Sequence, residues 1–346
     1  MKVGLGTTMR KYAGPGALAL ALLASPALAA PSAQAMPVVA PGAPCLHPAE
    51  PAKVPAARRL PDTSPVTEAV RERVERETAA AVSTSLDAAP LASERAAALP
   101  VYAVNVQIHV IHGRHKHERA LKKRGARRKV FQILRNAYNG GQSTASAPMG
   151  IDFRLRRISI TQNDRWYHAR PMSRADRQMK RRLHRGTAHT LNIYVNKPPN
   201  VGGSILLGYS RFPWQYRHHK KLDGVTISVR SLPGGNARGY NLGDSVVHET
   251  GHWLGLLHTF QGGCDNKDWV ADTPAEGEPS YQCEQGRNTC PVAFDPVTQK
   301  FVVVDDGAPD PIHNFMDYSY DSCMFMFTPG QRQRVDQMFA TYRAGR

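Results

Sequence analysis

Long apolar runs are scarce in this 346-residue chain. The run over residues 17–24 is too short to cross a bilayer, which takes about 20 residues, and no other stretch is long and apolar enough for a membrane helix. Three basic residues precede that run within the first 11 positions, and Ala27-Leu28-Ala29 and Ala33-Gln34-Ala35 behind it both fit a signal-peptidase site. The order predicts a removable secretory signal over residues 1–29 and an exported chain. Cysteine is also scarce, at five residues. Four of them, Cys264, Cys283, Cys290 and Cys323, lack the paired short spacings of zinc knuckles, which argues against a structural zinc site. In an exported chain they suggest two disulfides, in any of three pairings. Acidic residues are the third shortage, with 28 Asp and Glu against 45 Lys and Arg. The deficit is local: residues 114–185 carry 21 basic and 4 acidic residues, and residues 186–346 carry 14 and 16. No recognised nucleic-acid motif accompanies the basic stretch.

Against these absences stands one dense stretch, His248-Glu249-Thr250-Gly251-His252-Trp253-Leu254-Gly255-Leu256-Leu257-His258. His248 and His252 are four apart, so on a helix both imidazoles leave one face, close enough to bind one metal ion. Glu249 is rotated by about 100° from His248 and reaches past the metal, where a general base belongs. Gly255 has the freedom to end the helix and turn the chain, bringing His258 round as a third nitrogen ligand. Three histidines on a tetrahedral ion leave one position open, the pattern of a catalytic zinc site.

The extended motif resembles the metzincin zinc proteases. His258-Thr259-Phe260-Gln261-Gly262-Gly263-Cys264, Asp272-Thr273-Pro274-Ala275-Glu276, Asn314-Phe315-Met316-Asp317-Tyr318 and Cys323-Met324 are similar to the pappalysin family, in particular its compact ulilysin-like members. The likeness is specific over residues 206–334 and extends more weakly back to about residue 100. It implies an α+β metzincin fold, a twisted mixed sheet with helices above it and an irregular C-terminal subdomain ending in a helix. It places Met316 in a methionine turn beneath the histidines and offers Tyr318 to the developing oxyanion. It favours Cys264 with Cys290 and Cys283 with Cys323, and implies calcium near Asp268 and Thr273. It also sets Asp321 at the floor of the pocket for the residue just after the scissile bond, where a carboxylate would pair with Arg or Lys. Residues 206–210 resemble the family's sheet-edge strand, which pairs with extended substrate.

Residues 30–98 have the composition of a pro-segment and linker. Within them residues 65–81 read as a helix with Val66, Val70 and Val74 on one stripe, too narrow to build a core alone. Cys45 is a candidate to hold the zinc and keep the precursor silent, and Arg95 is a candidate release site. A catalytic domain over residues 99–346 follows, divided into an upper part to residue 255 and a lower part from 256. Strands are expected at 101–112, 151–160, 191–195 and 225–229, and basic helices at 121–138 and 173–184. The histidine helix is expected to start at Asn241 as its cap, and a last helix to run over 328–342. His109, His112, His115 and His117 follow no ligand spacing. The expected function is a secreted, zinc-dependent endopeptidase made as a zymogen, monomeric, acting on proteins or peptides with preference for Arg or Lys. The alternative is an exported protein that binds polyanions or cell surfaces through its basic upper half.

Overall fold

The computed structural model describes residues 66–87, 101–115, 124–200, 204–265, 268–290, 293–295, 300–302 and 308–345. The signal segment, Cys45, Arg95 and His117 lie outside them. Strand β1, Tyr102–His112, is the spine of the fold. Its alternation sends Val104, Val106, Ile108 and Val110 into the main core and Ile111 to the opposite face, as a strand covered on both sides requires. Parallel partners flank it, β2 (Ile151–Gln162) on one side and β3 (Thr190–Asn196) on the other. Next comes parallel β5 (Val225–Ser228), and β4 (Gly208–Ser210) closes the far edge as the one antiparallel strand of the order β2-β1-β3-β5-β4.

Helices cover both faces. On one lie α2 (Arg124–Tyr138) and the histidine helix α6 (Ser245–Leu254). Their stripes, Val130, Leu134 and Tyr138 with Val246 and Val247, fill one core with the inward sheet residues, and Tyr138 donates to the Val247 carbonyl at 3.1 Å. On the other lie a single turn, α3 (Asp164–Tyr167), and α4 (Arg174–Leu183), contributing Tyr167 and Met179. Ser173 caps α4 by accepting from the Asp176 amide. A further turn, α5 (Tyr216–His219), and the hairpin β6 (Ala293–Asp295) with β7 (Lys300–Val302) carry no strong sequence signal.

The C-terminal helix α7, Pro329–Tyr342, opens on a Thr328/Gln331 capping box and packs behind α6. Arg343, just past its end, is fully buried. It pairs with Asp223 at 3.2 Å, donates to the Trp253 carbonyl at 2.8 Å and lies 3.4 Å above the Trp253 ring. Trp253 Nε1 in turn donates to Asp223 at 2.9 Å. These three residues tie the histidine helix to the sheet and to α7.

The helix expected over residues 65–81 is α1, Glu68–Asp87. It docks on the body, with Val74 buried against Phe212, Trp214, Leu257, Met338 and Tyr342. Glu75 pairs with the buried Arg334 at 3.0 Å, and Glu77 accepts from the Tyr342 hydroxyl at 2.8 Å. The narrow valine stripe therefore borrows a core from elements about 140 to 270 residues away in sequence.

Candidate metal centre

All ten residues of α6 are buried. Its C-cap, Gly255, has φ +103°, the left-handed conformation that a side chain resists. The turn there lets the Leu256 amide close on the Gly251 carbonyl at 2.9 Å and swings the chain back under the helix. His258 thereby joins His248 and His252. One ring nitrogen from each of the three lies within 4.8 Å of the others, with His252 Nε2 3.1 Å from His248 Nε2 and 3.0 Å from His258 Nε2.

The donor set fits a tetrahedral ion. Zn–N bonds of about 2.0–2.1 Å place ligand nitrogens about 3.3 Å apart, close to the spacing found. Each helix histidine also presents its other nitrogen to a carbonyl, His248 Nδ1 to Phe315 at 2.6 Å and His252 Nδ1 to Leu256 at 2.8 Å. A proton held at Nδ1 leaves the Nε2 lone pair aimed inward, free to bind a metal while the carbonyl fixes the ring's orientation. Among the described residues no other group of three or more His, Cys, Asp or Glu side chains meets this way.

Glu249 is buried, with its side chain lying against Gly208 of β4, so the candidate base lies beside the edge strand. The hydroxyl of Tyr209, the next residue of that strand, donates to Asp176 at 2.7 Å, anchoring the edge to α4. The Met316 thioether lies under α6 so closely that a Cβ on Gly251 would stand 2.4 Å from its sulfur. Tyr318 packs its ring on His258 at 4.9 Å and on His248 at 5.7 Å. The disulfides join Cys264 to Cys290 and Cys283 to Cys323, with Cα separations of 5.3 and 5.7 Å.

The expected start of α6 meets a different arrangement. Asn241 does not cap α6, which starts after Asp244; Asn241 donates instead to the Gly235 carbonyl at 2.9 Å. The reason lies 79 residues downstream: Asp321 Oδ2 takes the Leu242 and Gly243 amides at 2.7 and 2.9 Å, and Gly243 at φ +111° breaks the helical path. Asp321 is therefore a buried brace of the loop that leads into the helix, a role with no local sequence signal. Asp244 accepts from Gln142 at 3.2 Å, and burial together with the Asp321 charge raises its pKa to about 7.

The acidic loop after His258 does not converge on one point. Asp268 accepts from Thr273 Oγ1 at 2.7 Å and from the Val270 amide, while Asp272 serves Thr328 and Gly330 at the start of α7. Glu276 accepts from Thr259, beside His258, at 2.6 Å. Burial and the neighbouring Asp317 push the Glu276 carboxyl up to about 9. Sequence reasoning also missed Asp223 and Arg343, which are separated by 120 positions.

The family described as Pregnancy-associated plasma protein-A matches residues 177–340. An extracellular metalloprotease of Sordaria macrospora is 42% identical over 212 residues, 58% of this chain and 65% of that protein, so this match spans a little under two thirds of the relative. An extracellular metalloprotease of Colletotrichum graminicola is 38% identical over 246 residues, 70% of this chain and 78% of that protein. Among solved structures, a Tannerella forsythia promirolysin variant aligns with TM-score 0.59 at 23% identity, over 80% of this chain and 90% of that one. At that identity the likeness speaks for the fold.

Proposed function

This chain belongs to the pappalysin family, described as Pregnancy-associated plasma protein-A, and from that premise we propose that it is a secreted zinc endopeptidase. The observation that carries the reading is the convergence of three Nε2 atoms within 4.8 Å beside Glu249 and the open sheet edge β4. The names of the relatives support export, and among the described residues no helix is long and apolar enough to cross a membrane.

His248, His252 and His258 would hold the zinc, which when bound lowers the pKa of water towards about 7 and polarises the scissile carbonyl. The chain's own groups do the rest. Peptide pairs with β4, which holds its carbonyl at the histidines. Glu249 takes a proton from the attacking water and delivers it to the leaving nitrogen, so the bond breaks with a neutral amine. Tyr318 donates to the oxyanion as charge develops there. Met316 gives the histidines an apolar floor.

Finer parts of the reading rest on the resemblance. Asp321 selects Arg or Lys just after the scissile bond. Calcium binds at Asp268 and Thr273. Apart from the resemblance, which does not reach them, residues 30–98 keep the precursor silent with the Cys45 thiolate on the metal. The basic stretch of residues 114–185 supports a polyanion contact alongside catalysis.

The test compares the secreted precursor with Glu249→Ala on an unfolded protein, reading new termini by mass spectrometry. Cleavage is expected from the first, with termini beginning in Arg or Lys, and at least ~10²-fold less from the second, while both bind one zinc. Termini of mixed identity would remove Asp321 from its role. Equal cleavage by both proteins would sink the peptidase reading.

A further inference from the structure

Edge strand β4 is three residues long, and its two faces are used differently. Gly208 lies flush on the candidate base: a Cβ there would stand 2.6 Å from Glu249 Cγ and 2.7 Å from its Oε1. The place of β4 therefore sets how far a peptide paired to it sits from Glu249. Pairing with β5 holds the strand on its inner side, at Gly208 with Ile227, Tyr209 with Thr226 and Ser210 with Val225. A ladder this short is marginal by itself. The Ser210 hydroxyl donates to the adjacent Arg211 carbonyl at 3.4 Å, a bond within the same segment.

Tyr209 projects to the other face of the sheet, as strand alternation requires, and reaches α4. Its hydroxyl donates to Asp176 Oδ1 at 2.7 Å. The same oxygen lies 3.4 Å from the Lys180 ammonium, one helical turn on, and that ammonium sits 4.4 Å from the centre of the Tyr209 ring. Asp176 Oδ2 accepts from the Met172 amide at 3.1 Å, in the turn before α4 where Met172 takes φ +57°. Both oxygens of one carboxylate are thus engaged, and Asp176, Lys180 and Tyr209 are all buried. A buried ion pair adds little net stability over an apolar substitute. What this one supplies is placement: an ionised acceptor holds a hydroxyl more strongly than a neutral one, and the ammonium beside it keeps the carboxylate ionised away from water.

We infer that Asp176, neutralised in place by Lys180, is a positioning residue: through the Tyr209 hydroxyl it holds β4 at the spacing from Glu249 that extended peptides need. The inference rests on the reading of β4 as the strand that takes substrate. Its consequence is that this pair governs the gain of extended peptides over ligands that touch only the metal.

The test uses the zinc-loaded secreted chain carrying Cys45→Ser, which clears the metal of the thiolate proposed above. Two ligands are compared by calorimetry: acetohydroxamate, which reaches the metal alone, and a peptidyl hydroxamate of about six residues, which also pairs with β4. Tyr209→Phe keeps the ring and removes the hydroxyl. It should weaken the peptidyl ligand about 10-fold, leave acetohydroxamate within about 2-fold, and lower kcat/KM on extended peptides about 10-fold or more. Tyr194→Phe is the control, because it deletes a buried hydroxyl with no hydrogen-bond partner among the described residues; it should bind both ligands as the parent does. Removing Asp176 or Lys180 singly strands a buried charge, so the two are replaced together. Asp176→Asn with Lys180→Met keeps an acceptor for Tyr209 and should retain the peptidyl preference within about 3-fold. Asp176→Leu with Lys180→Met removes the acceptor and should match Tyr209→Phe. Equal losses for both hydroxamates in Tyr209→Phe, no loss for either, or no difference between the two double variants would overturn the inference. A parent that prefers the peptidyl ligand yet cleaves no peptide would sink the peptidase reading and leave the positioning of β4 standing.

Discussion

At the scale of single residues, the metal centre shows how much chemistry a short window can specify. His248, Glu249, His252 and His258 fall within 11 positions, so helix geometry and one glycine turn nearly determine their meeting. Asp268 belongs to the opposite class, since its environment is set by a buried loop. Burial is the main cause of its raised pKa, about 7, with Thr273 and the Val270 amide acting against it. A carboxyl whose pKa is higher folded than unfolded favours the protonated native state. Its contribution is complete below about pH 4 and is lost as pH climbs towards 7, by up to about 4 kcal/mol. Melting temperature should therefore fall between pH 4 and 7 by more in the parent than in Asp268→Asn. Calcium at Asp268 and Thr273 would hold the carboxylate ionised and reverse the trend in the parent alone. Identical pH profiles for parent and variant, with and without about 1 mM calcium, would refute both statements.

Among the elements, α1 links sequence, packing and the site most directly. Val74 shares a buried cluster with Phe212 and Trp214, whose rings stack at 4.4 Å, and the Phe212 and His252 rings meet edge to face at 5.4 Å. Truncating Val74 to Ala removes two methyl groups' worth of burial, about 1.5 kcal/mol, and should lower the melting temperature by about 3–6 °C. Ala79→Ser, at an exposed position of the same helix, should cost little. No difference between the two would mean that α1 does not hold its docked place in solution. This helix also marks the boundary of what local patterning conveys. The valine stripe announces a helix that needs a partner, but the partner's aromatic residues have no mark in the local sequence. The strands and α2, α4 and α7 are legible because their periods of 2 and 3.6 are strong. The start of α6 is not legible, because a carboxylate from the far lower part takes the amides that Asn241 would have left helical.

Across the whole molecule, regular structure is uneven. The upper half has a five-stranded sheet with helices on both faces, whereas the chain from Leu256 to Phe327 has few regular elements among its described residues. Side chains and disulfides replace the missing backbone ladders there. One relay runs from a disulfide to the metal centre: Cys290, bonded to Cys264, follows Thr289, whose amide donates to Asp310 at 3.0 Å. Asp310 is paired with Arg287, Arg287 with Glu276 at 3.3 Å, and Glu276 accepts from Thr259 beside His258. The bridges close segments separated by 26 and 40 positions, each worth about 3–4 kcal/mol on loop-entropy grounds. His248 and His252 are held by α6, which no disulfide touches. Reduction should therefore loosen His258 while His248 and His252 remain in place. Zinc affinity, measured by chelator competition, is expected to fall about 10- to 100-fold on reduction, with the far-ultraviolet signal of the sheet and helices largely kept. Arg287→Ala should reproduce part of that fall without any reductant, because it cuts the same relay midway. Undiminished affinity in the reduced protein would mean that the Gly255 turn and ring contacts with Phe260 and Tyr318 hold His258 without the relay.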